Sequence, residues 1–89
     1  MLTAVAGGAQ AIDIATLLRV DARMTETIGE LVSTRHQLDR EIERARAAGA
    51  LATARSRLEQ RARLLARLER VTLERAVIRR ALLALRQLH

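Results

Sequence analysis

The stretch IATLLRVDARMTETIGELVSTRHQLDREIERARAAG, Ile14 to Gly49, decides the fold. Ile14, Leu17, Asp21, Met24, Ile28, Leu31, Arg35, Leu38, Ile42, Ala45 and Gly49 follow one another at alternating steps of three and four, and eight of these eleven are apolar. That rhythm marks a long helix with one buried stripe. A helix from about Ala11 to Ala48 would run roughly 57 Å. A globule of this chain length is only about 30 Å across. The rest of the chain can cover only part of such a stripe, so the length predicts a homodimer.

Upstream of that stretch, Met1 to Gln10 contains Gly7-Gly8 and little pattern. It reads as a flexible N-terminus (1–10) ahead of a single helical domain (11–89). Downstream, Gly49 stands where a C-terminal cap is needed and the rhythm changes phase. Ser56 with Glu59 fits a capping box, and Thr53 is another possible start. A second helix from about Thr53 to Glu69 puts Leu58, Ala62, Leu65 and Leu68 on one side. Leu64, Leu68, Val71, Ile78, Leu82 and Leu85 form a further stripe, and Thr72 is a weak cap for a third helix. The same signals also allow one helix from Thr53 to Leu88. The expected fold class is all-α: a long first helix plus two shorter helices, in an intertwined homodimer.

Composition narrows the chemistry. The 89 residues include no Phe, Tyr or Trp, so the core must be built from Leu, Ile, Val, Ala and Met. Such a core buries less area per residue than one with aromatics, which again asks for a partner. There is no Cys, which excludes disulfides, thiolate metal sites and Cys nucleophiles, and no Pro. No pair of His stands at ligand spacing and no Gly-rich phosphate loop is present. Neither a bound metal nor a cofactor is expected. The net charge of +6 is uneven: the first 48 residues carry six Arg and seven acids, the remainder ten Arg and three acids. A basic half invites anionic company, or is an Arg face folded back on a slightly acidic helix. No apolar run is long enough to span a bilayer and no basic leader opens the chain, which points to a cytoplasmic protein without membrane attachment.

Arg35 breaks the pattern. It takes a stripe position that should be apolar, and an unpaired buried guanidinium is very costly. Arg46 lies eleven residues later, within about 20° of the same direction and roughly 16.5 Å along the axis. Two such Arg side chains can close on a small dianion from opposite ends. On spacing alone, an intersubunit ion pair with Asp21 or a glutamate is the simpler account.

Leu31-Val32, Arg35, Leu38, Ile42 and Arg46 together resemble the first helix of the all-helical (AroQ-type) chorismate mutases. That helix carries two apolar residues, Arg, Leu, Ile or Val, and then a cation at the same intervals. The family places a glutamate thirteen residues after the cation, where Glu59 stands. The stretch Leu73 to Leu82 is more loosely similar to its last helix. The resemblance implies that Arg35 and Arg46 bind the carboxylates and ether oxygen of chorismate while Glu59 meets its hydroxyl. The family's further Arg, given by the partner subunit, falls at Leu18 here, with Arg19 adjacent. Leu58 replaces another Arg of the family, with Arg57 beside it, and Arg55 stands in a slot that is usually acidic. Arg19, Arg55 and Arg57 are therefore the expected additional substrate-binding residues. The family's C-terminal Gln has no counterpart, and Gln87 comes too early.

The rearrangement of chorismate to prephenate needs no nucleophile, metal or proton shuttle. It needs a dianion held in a compact form, with positive charge where the breaking ether gathers negative charge. Compact family members work poorly alone and dock on the first enzyme of the shikimate pathway, so a protein partner is implied as well. Aminodeoxychorismate mutase and isochorismate lyase use a similar scaffold. The competing expectation is a non-enzymatic coiled-coil hairpin, an adaptor or chaperone, in which Arg35 fixes register. Nucleic-acid binding through residues 55–80 is the weakest, because no aromatic is present to stack on bases.

Overall fold

The computed structural model describes residues 13–88. Two helices account for nearly all of them: α1, Ile14–Ala47, and α2, Leu51–Gln87. Asp13 caps α1, its side chain accepting a hydrogen bond from the backbone N–H of Thr16 at 2.8 Å. This cap satisfies one of the donors that a helix start leaves without a partner. The helix therefore starts after Asp13 rather than at Ala11; residues 1–12, including the expected flexible N-terminus, lie outside the described residues.

The turn is built as the glycine demanded. Gly49 has φ +72°, the left-handed conformation that other residues enter only at a cost. Around it the N–H of Ala48 donates to the carbonyl of Arg44 and that of Gly49 to Arg46, while Ala50 reaches back to Ala45 at 2.8 Å. These bonds absorb the carbonyls that end α1 and reverse the chain within three residues.

The second half is one helix of 37 residues, which corrects the expectation of two shorter helices. Gly49 is the last glycine and the chain has no proline, so no strong breaker follows the turn. Ser56, Glu59 and Thr72 lie inside α2, their capping potential unused. α2 begins at Leu51 without a side-chain cap, two residues before Thr53.

α1 and α2 lie antiparallel. Asp39 faces Arg61, Thr25 faces Arg75 and Asp21 faces Arg79, so each step along α1 is matched by an equal step back along α2. The register is constant from the turn to the open end. It lays Ala54, Arg57, Arg61, Leu64, Leu68, Val71, Arg75, Ile78, Leu82 and Leu85 against the α1 stripe, again at alternating steps of three and four. All of these are buried or half-buried. By contrast, Leu58 and Ala62, placed on a buried stripe by the shorter-helix reading, are exposed.

The resulting rod measures 64 × 26 × 14 Å, with a radius of gyration of 19.8 Å against about 12 Å for a compact domain of this length. Its core is thin. Leu31, Leu38, Ile42 and Ala45 of α1 and Ala54 and Leu82 of α2 are buried, and no described side chain is completely covered.

Candidate functional site

Arg35 sits in the seam, where the register places Leu64 and Leu65 opposite it. Its Nε is covered and takes no hydrogen bond. The nearest carboxylate is that of Asp39, one turn on, with Oδ2 3.9 Å from Nε, too far for a hydrogen bond. The side chain as a whole is 41 % exposed, so the covered atom is at the root of a guanidinium whose tip reaches water.

Asp39 is shared between the helices. Its Oδ1 accepts from Nε of Arg61 at 2.7 Å, a short charge-assisted bond across the seam. Thus Arg35 of α1 and Arg61 of α2 flank one carboxylate. Arg61 then lines a cavity of about 280 Å³ together with Asp39, Ile42, Glu43, Arg46 and Leu58. Arg46 is 57 % exposed, and Glu43 stands 3.9 Å from it, one turn back on its own helix. Such an exposed pair is weak and screened by salt, so Arg46 keeps most of its capacity for another anion.

The remaining expected residues scatter. Arg57 is taken up by Glu41 across the seam at 3.0 Å. Arg55 and Glu59 are exposed, and neither lines the cavity beside Arg46. Arg19 is exposed near the open end, donating from Nη2 to Oγ1 of Thr16 at 3.3 Å. It lies 27 residues before Arg46, roughly 40 Å along α1, so one chain cannot bring the two to a common ligand. Within a single hairpin only Arg46 of the expected set lines the cavity, with Arg35 linked to it through Asp39.

Arg61 escaped the sequence reading. Its signal was the one that revealed Arg35: a cation in a seam position. Splitting α2 into two helices hid that seam, and with it Arg61 and Arg75; Arg57 is expected through the family resemblance and not as a seam residue.

No family model, curated protein or solved structure matches the chain.

Among the described residues no group of three or more His, Cys, Asp or Glu side chains is placed to hold a metal ion, and no helix is long and apolar enough to cross a membrane. The cavity sets two guanidinium groups from different helices, Arg46 and Arg61, each with a carboxylate beside it (Glu43 and Asp39), over the apolar side chains of Ile42 and Leu58. That arrangement can bind and orient a small anion.

Proposed function

We propose that the chain is a chorismate-mutase-like enzyme that works as a pair of hairpins, holding a chorismate-like dianion through Arg35 and Arg46. The observation that carries this reading is the covered Nε of Arg35, a cationic donor without an acceptor inside an apolar seam. A buried donor left unmade is costly, and an anion that reaches it recovers that cost. The reaction suits what is present. In the rearrangement a C–O bond breaks as a C–C bond forms within one molecule, and no proton need move. Fixed guanidinium groups supply the compact pose and the positive charge at the ether oxygen.

The second copy enters through surface. The chain exposes 6986 Å², about 1,800 Å² more than a compact monomer of its mass would show. Obligate dimers cover about 1,000–2,500 Å² on each copy, so the excess is of the size one partner removes. Leu51, Leu73, Val77, Leu83 and Leu88 supply its apolar part. A second hairpin running antiparallel also provides the route by which Arg19 reaches an Arg46 that its own chain keeps distant. Glu59, facing away from α1, likewise needs a neighbouring copy to meet the substrate. A shikimate-pathway enzyme as a further partner belongs to the same proposal.

The test is the loss of chorismate's ultraviolet absorbance, followed with the purified chain alone and with the first enzyme of the pathway added. Turnover above the spontaneous rate is expected. Arg46→Ala should cut it roughly 30- to 5,000-fold, the cost of one charge-assisted contact to an anion, with the helical circular dichroism unchanged. No turnover in either setting would sink the enzyme reading. Turnover of aminodeoxychorismate, or cleavage of isochorismate to salicylate and pyruvate, when either is supplied in place of chorismate, would move it to another reaction of the same scaffold.

A second reading is favoured by the carboxylates that already stand beside both cations, Asp39 by Arg35 and Glu43 by Arg46. In it the hairpin is a coiled-coil adaptor and Arg35 sets the pairing. Arg35→Leu separates the two: an adaptor gains stability from the added apolar contact, whereas the enzyme loses its activity.

A further inference from the structure

At the open end the two flanks of the hairpin differ. On one, Asp21 Oδ1 accepts from Nε of Arg79 at 2.9 Å and Thr25 Oγ1 accepts from Arg75 at 3.3 Å, so polar ties close the groove between the helices. On the other flank no tie crosses at this level among the described residues, and a cavity of about 480 Å³ lies open there. Val20, Met24 and Val71 form its apolar part, half-buried and drawn from both helices. Arg19 and Arg23 line it from α1 and Glu74 from α2. Neither arginine has a carboxylate within the 4.0 Å of an ion pair among the described residues, and none reaches Glu74.

We infer that this groove is a binding site for a small aliphatic monocarboxylate. Two cations without an ion-pair partner among the described residues, set against the lining carboxylate of Glu74 and with Asp13 in electrostatic reach of Arg19, favour an anion over a cation. The apolar wall selects a ligand with a hydrocarbon body over a bare phosphate or sulfate. The lining runs from Thr16 to Thr27, roughly 16 Å along α1, an elongated shape that suits an extended alkyl chain. Its volume lies within the usual range of ligand clefts, about 300–1,000 Å³. The site is separate from the Arg35 seam, since Arg23 and Arg35 are twelve residues, roughly 18 Å, apart on one helix. It uses Arg23, Met24 and Val71, which the proposed mutase site does not, and shares Arg19 with that site when a second copy is present.

Methionine provides the probe. The chain has two, Met1 and Met24, and Met24 lines the groove. With ¹³C-methyl methionine incorporated, the Met24 resonance is assigned by its disappearance in Met24→Leu. Titration with octanoate is expected to shift it saturably at concentrations below about 10 mM. Octanamide, with the same chain and no charge, should bind at least about tenfold more weakly. The double variant Arg19→Gln/Arg23→Gln should weaken octanoate to a similar degree while its circular dichroism stays that of the parent. A Met24 signal that does not move overturns the inference, because the groove is then closed or occupied by a second copy. Equal binding of octanamide overturns it too, by reducing the groove to bare apolar surface, as does a double variant that binds octanoate like the parent.

Discussion

The two helices are almost equal in length and opposite in how they use their apolar residues. α1 turns Leu31, Leu38, Ile42 and Ala45 inward and shows one large apolar side chain on its outside, Leu18. α2 buries only Ala54 and Leu82 and exposes Leu51, Leu58, Leu73, Val77 and Leu83, with Leu88 exposed just past its end. Its seam is interrupted by Arg57, Arg61 and Arg75, so leucines are displaced to its back. The difference teaches that α1 is finished within the hairpin whereas α2 is not. α1 has one partner and one stripe; α2 carries a second apolar surface that none of the described residues covers.

The largest effect that sharpens this contrast comes from shortening one side chain on each helix. Ile42, 4 % exposed, should cost about 2–5 kcal/mol when replaced by Ala. Leu73, 61 % exposed, should cost less than about 0.5 kcal/mol in an isolated hairpin. Denaturant melts at two protein concentrations measure both. If Leu73→Ala proves as damaging as Ile42→Ala, and more so at the higher concentration, the back of α2 is covered by another copy.

Two glycines come next, and they should respond with opposite sign. Gly49→Ala forces a side chain into the left-handed conformation and should destabilise by about 1–2 kcal/mol. Gly29 lies mid-way along α1 with open space where a methyl would go. Gly29→Ala should stabilise by about 1 kcal/mol through helix propensity alone. Thermal melts of the two variants settle the signs.

The smallest effect is a pH dependence that belongs to α1 alone, since α2 has no side-chain cap. The backbone N–H of Thr16, bonded to Asp13, holds that carboxyl below its ordinary value. A carboxyl with a depressed folded pKa contributes stability that is present above its unfolded value and is lost as pH falls through the folded one. The Asp13 contribution should therefore fade below about pH 4. In Asp13→Asn, which keeps a capping oxygen without the charge, the fall of melting temperature between neutral and acidic pH should be shallower.

The sequence revealed one half of the hairpin better than the other, and the reasons are physical. The α1 stripe, the break at Gly49 and the oddity of Arg35 are properties of single residues at fixed spacing, and all three stand in the structure. The α2 seam was hidden because three of its positions are Arg. A long aliphatic stem can lie half-buried while its head reaches a carboxylate, so an arginine can serve as a seam residue that apolar counting misses. Ser56 and Thr72 then looked like helix starts. A local capping signal does not end a helix when the residues before it are good helix formers and no glycine or proline intervenes. At the candidate site, Arg46 was legible and Arg61 was not, since recognising Arg61 requires the register between helices. That register depends on the turn and on cross-helix pairs such as Asp39 with Arg61.

The short turn at Gly49 also sets an order of assembly. Asp39 and Arg61 meet across a span of 22 residues, whereas Asp21 and Arg79 are separated by 58. Once the first pair has closed, each further layer adds only a small entropic toll, and the helices zip outward from the bend. Amide protons next to the turn should accordingly be the slowest to exchange. Those beside Leu17 and Leu82, at the open mouth, should fray first.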